Sequence, residues 1–179
     1  FNEANTLAVT LSDLNEKMVE KSTNNINWFL KTTDLNTPFK IYKLNSKFID
    51  ESLILEKKSI DSIVTEWYLW EVMTRSNISI DRIEKQKKSI MELYDKFFKW
   101  LQKISYKWNI VICFPFWEIN WKFIYFTDIY TLIGKYCTIE QMFPKWCVIE
   151  STKSGSLLYK REKQLVWREI FKLKLKKES

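Results

Sequence analysis

The residues with the clearest chemical potential form a short polar and aromatic run, Thr65-Glu66-Trp67-Tyr68, in the middle of the chain. The run follows a short apolar segment that contains Ile60, Ile63 and Val64, and a helix-favouring stretch comes soon after. In open α/β sheets, ligands bind where such turns leave the strands. We therefore expect the run to form a turn at the working edge of the molecule. The alternative is an ordinary strand-to-helix connection with an acidic residue near a helix start.

Two further strand ends carry polar side chains that suit a nucleoside. Asp13 follows the apolar run 7–11 and precedes a helix that apolar spacing predicts over 16–30. A carboxylate there either accepts hydrogen bonds from both ribose hydroxyls or caps the helix. Asn45 ends a strand expected over 39–44, where its amide either bonds an adenine edge or forms a turn.

The composition excludes several kinds of site. The chain of 179 residues has no histidine, which excludes histidine-containing zinc patterns and histidine-dependent catalytic triads from it. No apolar run approaches the roughly 18–20 residues of a membrane span. The three cysteines lack CxxC spacing, so we expect reduced core residues of a soluble cytoplasmic protein. They are Cys113, Cys137 and Cys147.

The net charge of +7 comes almost wholly from lysine. Excess lysine favours binding to the phosphates of nucleic acids. It also fits AT-rich coding, because Lys, Ile and Asn are abundant while Ala occurs only at Ala4 and Ala8. Both interpretations stay open at this point.

Glycine is scarce and tryptophan is abundant. The chain has two glycines and nine tryptophans, whereas an average protein of this length has about a dozen glycines. One hypothesis is that some tryptophans are glycines in the source organism, encoded by a reassigned UGA codon; the alternative is a tryptophan-rich core. The tryptophans at positions where a turn or cap favours glycine are Trp67, Trp70, Trp108 and Trp121.

The remaining apolar patterns predict one domain of alternating helices and strands. Spacing of three and four residues predicts helices over 80–104 and 127–136. A continuous apolar run that ends at Pro115 is typical of a strand buried in a parallel sheet. Two later runs have hairpin spacing, so we expect a mostly parallel α/β sheet with an antiparallel edge. The strands expected here span 109–115, 147–150, 157–161 and 166–173.

Resemblance to a known family rests on three segments, 12–18, 61–69 and 159–170. In their order and residues they resemble the S-adenosylmethionine-dependent methyltransferases that modify the exocyclic amine of guanosine in tRNA, over about residues 7–174. The fourth strand of that family ends in Asp-Pro-Pro-Tyr or a variant such as Thr-Glu-Pro-Tyr, which Thr65, Glu66 and Tyr68 match. The chain departs from the family where Pro or Gly is expected, at Trp67, Trp70 and Trp167.

The resemblance implies a Rossmann-like methyltransferase fold, a mostly parallel sheet with an antiparallel C-terminal hairpin, and S-adenosyl-L-methionine as cofactor. It implies tRNA as the partner, with no metal and no membrane. The family's first strand and glycine-rich loop have no counterpart, so residues 1–179 are expected to form one incomplete catalytic domain that is inactive alone. The implied cofactor-binding residues are Asp13, Leu14, Asn45 and Ser46, and the implied catalytic residues are Thr65, Glu66, Trp67 and Tyr68.

Methylation of an exocyclic amine requires polar acceptors, because an amine conjugated to a purine ring is a poor nucleophile. The Thr65 hydroxyl, the Glu66 carboxylate and turn carbonyls would hold its protons, and Tyr68 would stack on the extruded base. For this site to form, the strand ends that bear Asp13, Asn45 and residues 65–68 must line one rim of one parallel sheet.

Two other interpretations stay open. A non-catalytic nucleic-acid-binding domain with a Rossmann-like core would use the lysines of the long predicted helix, Lys85, Lys87 and Lys88. An amine methyltransferase that acts on DNA or ribosomal RNA would use the same central motif, because the motif indicates amine methylation better than it indicates the polymer.

Overall fold

The computed structural model describes residues 9–44, 61–66, 73–144, 146, 152 and 154–176. The chain divides into two compact units, Phe1–Leu55 and Glu56–Ser179. The described residues form three α-helices and eight β-strands. The strand predicted over 147–150 lies outside the described residues.

The first unit contains one strand-helix-strand element. Strand β1 spans Val9–Asp13, helix α1 spans Glu16–Thr33, and strand β2 spans Phe39–Lys43. The two strands pair in parallel, which requires a crossover connection such as α1. Asn15 begins the helix because its side chain accepts the N–H of Lys17 at 3.0 Å. No residue of α1 is buried, although the apolar spacing predicts a core face there.

The second unit is built on two long antiparallel strands. Strand β4 (Asn109–Ile119) pairs with β8 (Val166–Leu175), and shorter strands flank this pair. On the outer edge of β4 lie β3 (Ser62–Glu66), which is parallel to it, and β5 (Lys122–Ile124), which is antiparallel. On the outer edge of β8 lie two antiparallel strands. These are β6 (Cys137–Glu140) and β7 (Leu157–Tyr159).

The predicted Rossmann-like fold with one mostly parallel sheet is wrong. The described strands form two sheets, and in the six-stranded sheet only the β3–β4 pair is parallel. One reason is that β4 continues through Pro115, which falls between the residues paired with β3 and those paired with β5. A residue without an N–H breaks no ladder bond on that edge. The second reason concerns the C-terminal hairpin. Strands β7 and β8 pair in antiparallel fashion as predicted, but β8 also pairs with β4 and β6 and so lies inside the sheet instead of at its edge.

The core of the second unit is rich in aromatic residues. Helix α2 spans Ile80–Lys103, close to the predicted 80–104, and α3 spans Asp128–Tyr136, close to the predicted 127–136. Ser79 begins α2 by accepting the N–H of Arg82 at 3.3 Å. The predicted apolar stripe of α2 is buried, as its three- and four-residue spacing requires. Its Tyr94 ring lies 4.5 Å from the ring of Phe114 on β4.

One carboxylate joins α2 to α3. Asp95 accepts hydrogen bonds from Lys99 at 2.6 Å, Tyr136 at 2.6 Å and Lys135 at 3.3 Å. Partial burial alone raises the pKa of Asp95. The hydrogen bonds from Lys99, Tyr136 and Lys135 together outweigh burial and lower the pKa to about 2. The charged form of Asp95 therefore stabilises the contact between the two helices.

Asp95→Asn is expected to lower the free energy of unfolding by about 1 kcal/mol at neutral pH. An acid with a lowered folded pKa contributes stability above its ordinary pKa of about 3.9. That contribution falls with pH and is lost as the pH passes through about 2. Urea unfolding from pH 7 to pH 2 should therefore show that the difference in free energy of unfolding between Asp95→Asn and the parent protein becomes smaller below pH 4. A difference in free energy of unfolding that stays constant over this range would contradict the role of Asp95. The control is Glu92→Gln, on the exposed side of α2.

The turn between β4 and β5 has the backbone of an Asn-Gly hairpin but carries Asn120-Trp121. Ile119 pairs with Lys122, so two residues form the loop, and their φ angles are 49° and 64°. Positive φ at both central residues defines a type I′ turn, which strongly favours glycine at the second position. The Trp121 side chain is 85% exposed and so gains little from packing. The reassigned-codon hypothesis stays a prediction, and position 121 is where the backbone supports it.

Trp121→Gly is expected to raise the free energy of unfolding by about 1 kcal/mol, because a non-glycine residue in the left-handed region costs about 1–2 kcal/mol. Trp108→Gly is the control, since Trp108 has no positive φ and glycine there only adds chain entropy. Urea unfolding should show a gain for the first variant and a loss for the second. Equal losses would contradict the turn assignment. Mass spectrometry of the native peptide would show which residue the organism inserts.

Candidate functional site

Glu66 lies at the carboxyl end of a strand-helix-strand element. Strand β3, helix α2 and strand β4 follow one another, and β3 and β4 pair in parallel from Ser62 to Glu66. Thr65 and Glu66 are the last two residues of β3, although the sequence predicts a turn for them. In strand-helix-strand elements, the carboxyl ends of the parallel strands form the edge where ligands bind. Glu66 therefore stands where the sequence predicts the working edge.

Arg168 of β8 holds the Glu66 carboxylate. Its Nε donates to Oε1 of Glu66, and the Arg168 side chain is mostly covered while Glu66 stays half exposed. The two residues are 102 positions apart in the chain, so the pair ties the end of β3 to the far side of β4. A charge-assisted bond of this kind fixes the direction of the carboxylate. Arg168 is thus a partner of Glu66 that the sequence alone does not predict.

Thr65 and Glu66 lie on opposite faces of the sheet. Adjacent residues of a strand point to opposite faces, and the burial of β3 alternates accordingly, with Glu66 exposed and Thr65 half-buried. Thr65 pairs with the buried Ile112, and Glu66 pairs with Cys113. The two side chains predicted to hold one amine together are therefore separated by the sheet.

Cys113 lies beside Glu66, and its thiol is a poor nucleophile. Burial, helped by the negative charge of Glu66 and opposed by Arg168, raises the pKa of the Cys113 thiol to about 11. At neutral pH the thiol is protonated, and only the thiolate is a good nucleophile. The backbone carbonyl of Cys113 accepts the hydroxyl of Tyr94 at 3.2 Å. Cys113 therefore acts as a packing residue at this edge.

Asp13 and Leu14 lie in the first unit. Asp13 is the last residue of β1, and its Oδ1 accepts the N–H of Asn15 at 2.7 Å at the start of α1. Leu14 is exposed at the bend between β1 and α1. The expectation that Asp13 and Thr65 share one parallel sheet is wrong, because β1 and β3 belong to different sheets. The other predicted site residues lie outside the described residues. They are Asn45, Ser46, Trp67 and Tyr68.

Cationic and aromatic side chains lie on both faces of the sheet near the end of β7, with Tyr159, Arg161 and Arg168 on one face and Lys160 and Phe123 on the other. Tyr159 ends β7 directly opposite Arg168, whose guanidinium carbon lies 6.0 Å from the Tyr159 ring centre. Arg161 donates from Nε to the Tyr159 hydroxyl at 2.9 Å. The ammonium of Lys160 lies 4.2 Å from the ring centre of Phe123 on β5. From the sequence this segment was predicted to be a hairpin strand and was part of the family resemblance, although aromatic residues next to basic ones are also a known signal for nucleic-acid binding.

A cavity of about 310 Å³ opens beside the β4–β5 hairpin. Its lining includes Arg75 and Ile78, which follow the predicted catalytic turn in the chain, and Glu118 of β4. Its lining combines charged, amide and apolar side chains. The remaining lining residues are Ile119, Asn120, Trp121 and Leu165.

A second carboxylate, Glu169, is buried and serves the fold. It accepts hydrogen bonds from the hydroxyls of Tyr130 and Ser156, which join β8 to α3 and to the loop before β7. Within the described residues, no group of three or more acidic, cysteine or histidine side chains could hold a metal ion. No helix among the described residues is long and apolar enough to cross a membrane.

Comparison with known proteins gives a plain result. No protein-family model, curated protein or solved structure matches the chain. The chemistry of the Glu66 edge, the basic and aromatic side chains near β7 and the cavity must therefore carry any assignment of function.

Proposed function

We propose that this chain belongs to the catalytic domain of an S-adenosylmethionine-dependent methyltransferase that modifies an exocyclic amine of a nucleobase. The proposed substrate is guanosine in tRNA. The observation that carries the proposal is the Glu66 carboxylate, which lies at the carboxyl end of the β3–α2–β4 element and is oriented by Arg168. A fixed acceptor at such an edge is what the amine of a purine needs before it can attack a methyl group.

Each residue has a definite task in this proposal. Glu66 accepts a hydrogen bond from the amine and keeps its lone pair directed at the methyl donor, while Arg168 prevents the carboxylate from rotating away. Trp67 and Tyr68 follow in the chain, and Tyr68 supplies the ring that stacks on the base. Thr65 acts from the opposite face of the sheet, so its role is to position β3.

The first unit supplies one candidate contact for S-adenosylmethionine, in a different sheet from the one that carries Glu66, so the single rim that the resemblance implies is not formed. Asp13 is an exposed carboxylate at the end of a parallel strand, and this is the acceptor that ribose hydroxyls require. When bound, the cofactor supplies a methyl group activated by its positive sulfur. Leu14, Asn45 and Ser46 complete the proposed cofactor contacts.

A second candidate is a non-catalytic nucleic-acid-binding domain, favoured by the cationic and aromatic surface around Tyr159. The long helix is a weaker binding surface than the sequence predicts. Its Lys87 side chain is only 11% exposed, bonds Glu84 at 2.8 Å and lies 5.9 Å from the Trp117 ring centre. The surface around Tyr159 would then be the whole function, without a cofactor.

Isothermal titration of the full-length gene product with S-adenosylmethionine separates the two candidates. The methyltransferase proposal expects saturable binding that Asp13→Ala weakens about 10-fold or more, because the ribose acceptor is lost. Binding of RNA without any binding of S-adenosylmethionine would favour the second candidate. We place the protein in the cytoplasm, where its free thiols at Cys113 and Cys137 would stay reduced.

A further inference from the structure

We propose that Arg161 and Arg168, which both approach the ring of Tyr159, bind a backbone phosphate of the substrate RNA next to Glu66. We call these two residues the arginine pair. The inference rests on the proposed function, since it names the group that would hold the RNA beside the proposed amine acceptor. RNA binding can nevertheless be measured without methyl transfer.

The arginine pair lies on one face of the six-stranded sheet. Arg168 on β8 pairs with Tyr159 on β7, and directly paired residues of neighbouring strands point to the same face. Arg161 follows two positions after Tyr159, and its Nε donates to the Tyr159 hydroxyl at 2.9 Å. The guanidinium carbons of Arg161 and Arg168 lie 5.8 Å and 6.0 Å from the centre of the Tyr159 ring. Glu66 belongs to the same group, because it accepts from Nε of Arg168.

Both arginines are held through Nε, which leaves their terminal nitrogens open. Nε of Arg168 donates to Glu66, and Nε of Arg161 donates to Tyr159. Within the part of the chain that the structure describes, neither Nη1 nor Nη2 of either arginine has a hydrogen-bond or ion-pair partner. Each guanidinium therefore has a fixed direction and N–H donors that an external oxygen can use.

The charges at this edge do not cancel. Glu66 forms an ion pair with Arg168, but Arg161 forms none with a carboxylate of the described residues. The three side chains together therefore keep one positive charge. An anion is attracted here although the Glu66 carboxylate is part of the group, and the chain's net charge of +7 adds to this attraction.

A phosphodiester of RNA suits the arginine pair better than a carboxylate does. The oxygens of a phosphate point in several directions, so it can accept from two guanidiniums that are held at different angles. The Tyr159 ring is 40% exposed, so a base next to the bound phosphate can stack on it. Arg168 then links the two sites, because it bonds Glu66 through Nε and offers Nη1 and Nη2 to the phosphate.

The test compares Arg161→Gln with Lys160→Gln in the full-length gene product. The two substitutions remove the same charge from neighbouring exposed residues, but the Lys160 ammonium lies on the opposite face, 4.2 Å from the ring centre of Phe123. Binding of a fluorescent single-stranded oligouridylate is measured by anisotropy at several salt concentrations. We expect Arg161→Gln to weaken binding at least about fivefold and to lower the salt slope by about 0.7, and Lys160→Gln to weaken binding at most about twofold.

Arg161→Lys separates the shape of the guanidinium from its charge. We expect the salt slope of the parent protein and an affinity about threefold lower, because an ammonium cannot form two parallel bonds to a phosphate. Equal losses in Arg161→Gln and Lys160→Gln, or no loss in Arg161→Gln, would overturn the proposal. Displacement of the RNA by inorganic phosphate at about 0.1 mM and constant ionic strength would also overturn it, because a free phosphate would then be the ligand.

This experiment contains no S-adenosylmethionine, so its result is independent of the proposed methyl transfer. A protein that shows the expected pattern of RNA affinities but transfers no methyl group would contradict the proposed function and would leave the arginine pair in place. A protein that transfers methyl groups and binds RNA equally well with Arg161→Gln would contradict the arginine pair alone.

Discussion

Glu66→Gln is expected to lower the rate of methyl transfer to tRNA by about 100-fold in the full-length gene product, with little change in RNA affinity. The amide keeps the size of the carboxylate but removes the charge that holds the amine, and it breaks the charge-assisted bond to Arg168. Initial rates with labelled S-adenosylmethionine, measured at saturating tRNA, provide the test.

Thr65→Val is the matched control for that experiment. It changes the neighbouring residue of β3 without changing its shape, and its side chain lies on the other face of the sheet from Glu66. We expect a rate within about fivefold of the parent protein, a loss of about 1 kcal/mol at most. If the two variants lose the same activity, or if Glu66→Gln loses none, Glu66 does not hold the amine.

Phe114→Ala is expected to lower the free energy of unfolding by about 3–5 kcal/mol. Phe114 is fully buried, and its ring lies 4.5 Å from that of Tyr94 on α2 and 5.6 Å from that of Phe171 on β8. The truncation therefore leaves a cavity at the point where the sheet and its helix meet. Urea unfolding followed by far-ultraviolet circular dichroism measures the loss.

Val64→Ala on β3 is the control for the core variant. Its side chain is 76% exposed, so the truncation removes little buried surface and should change stability by at most about 0.5 kcal/mol. A loss below about 1 kcal/mol for Phe114→Ala would show that the two long strands do not pack on α2 as described.

The helices of the second unit were predictable because their cause is local. Helix α2 has a capping serine and an apolar residue every three or four positions, so its ends follow from neighbouring residues alone. The sheet was not predictable in the same way. The hairpin of β8 with β7 follows from local spacing, but no local pattern says that β4 and β6, which are distant in the chain, will be the other neighbours of β8. The prediction that these strands form one mostly parallel sheet was therefore wrong.

The candidate site was likewise predictable where the cause is local and not where it depends on distant strand pairing. Glu66 was predicted as a functional residue from its place after an apolar strand, and the structure puts it at the end of β3. Arg168 could not be predicted, because the pair depends on the register of β8 against β4. The basic and aromatic run Tyr159-Lys160-Arg161 is recognisable in the sequence, but the face that each side chain occupies depends on the register of β7 against β8 and was not predictable. The separation of Thr65 from Glu66 follows from strand alternation once β3 is known to include both.

The most direct measurement is transfer of a labelled methyl group from S-adenosylmethionine to unmodified tRNA by the full-length gene product, followed by nucleoside analysis. We expect label on the exocyclic amine of guanosine, and we expect Glu66→Gln to lower the rate of labelling about 100-fold. Label on another atom, or cofactor-independent RNA binding with no transfer at all, would contradict it.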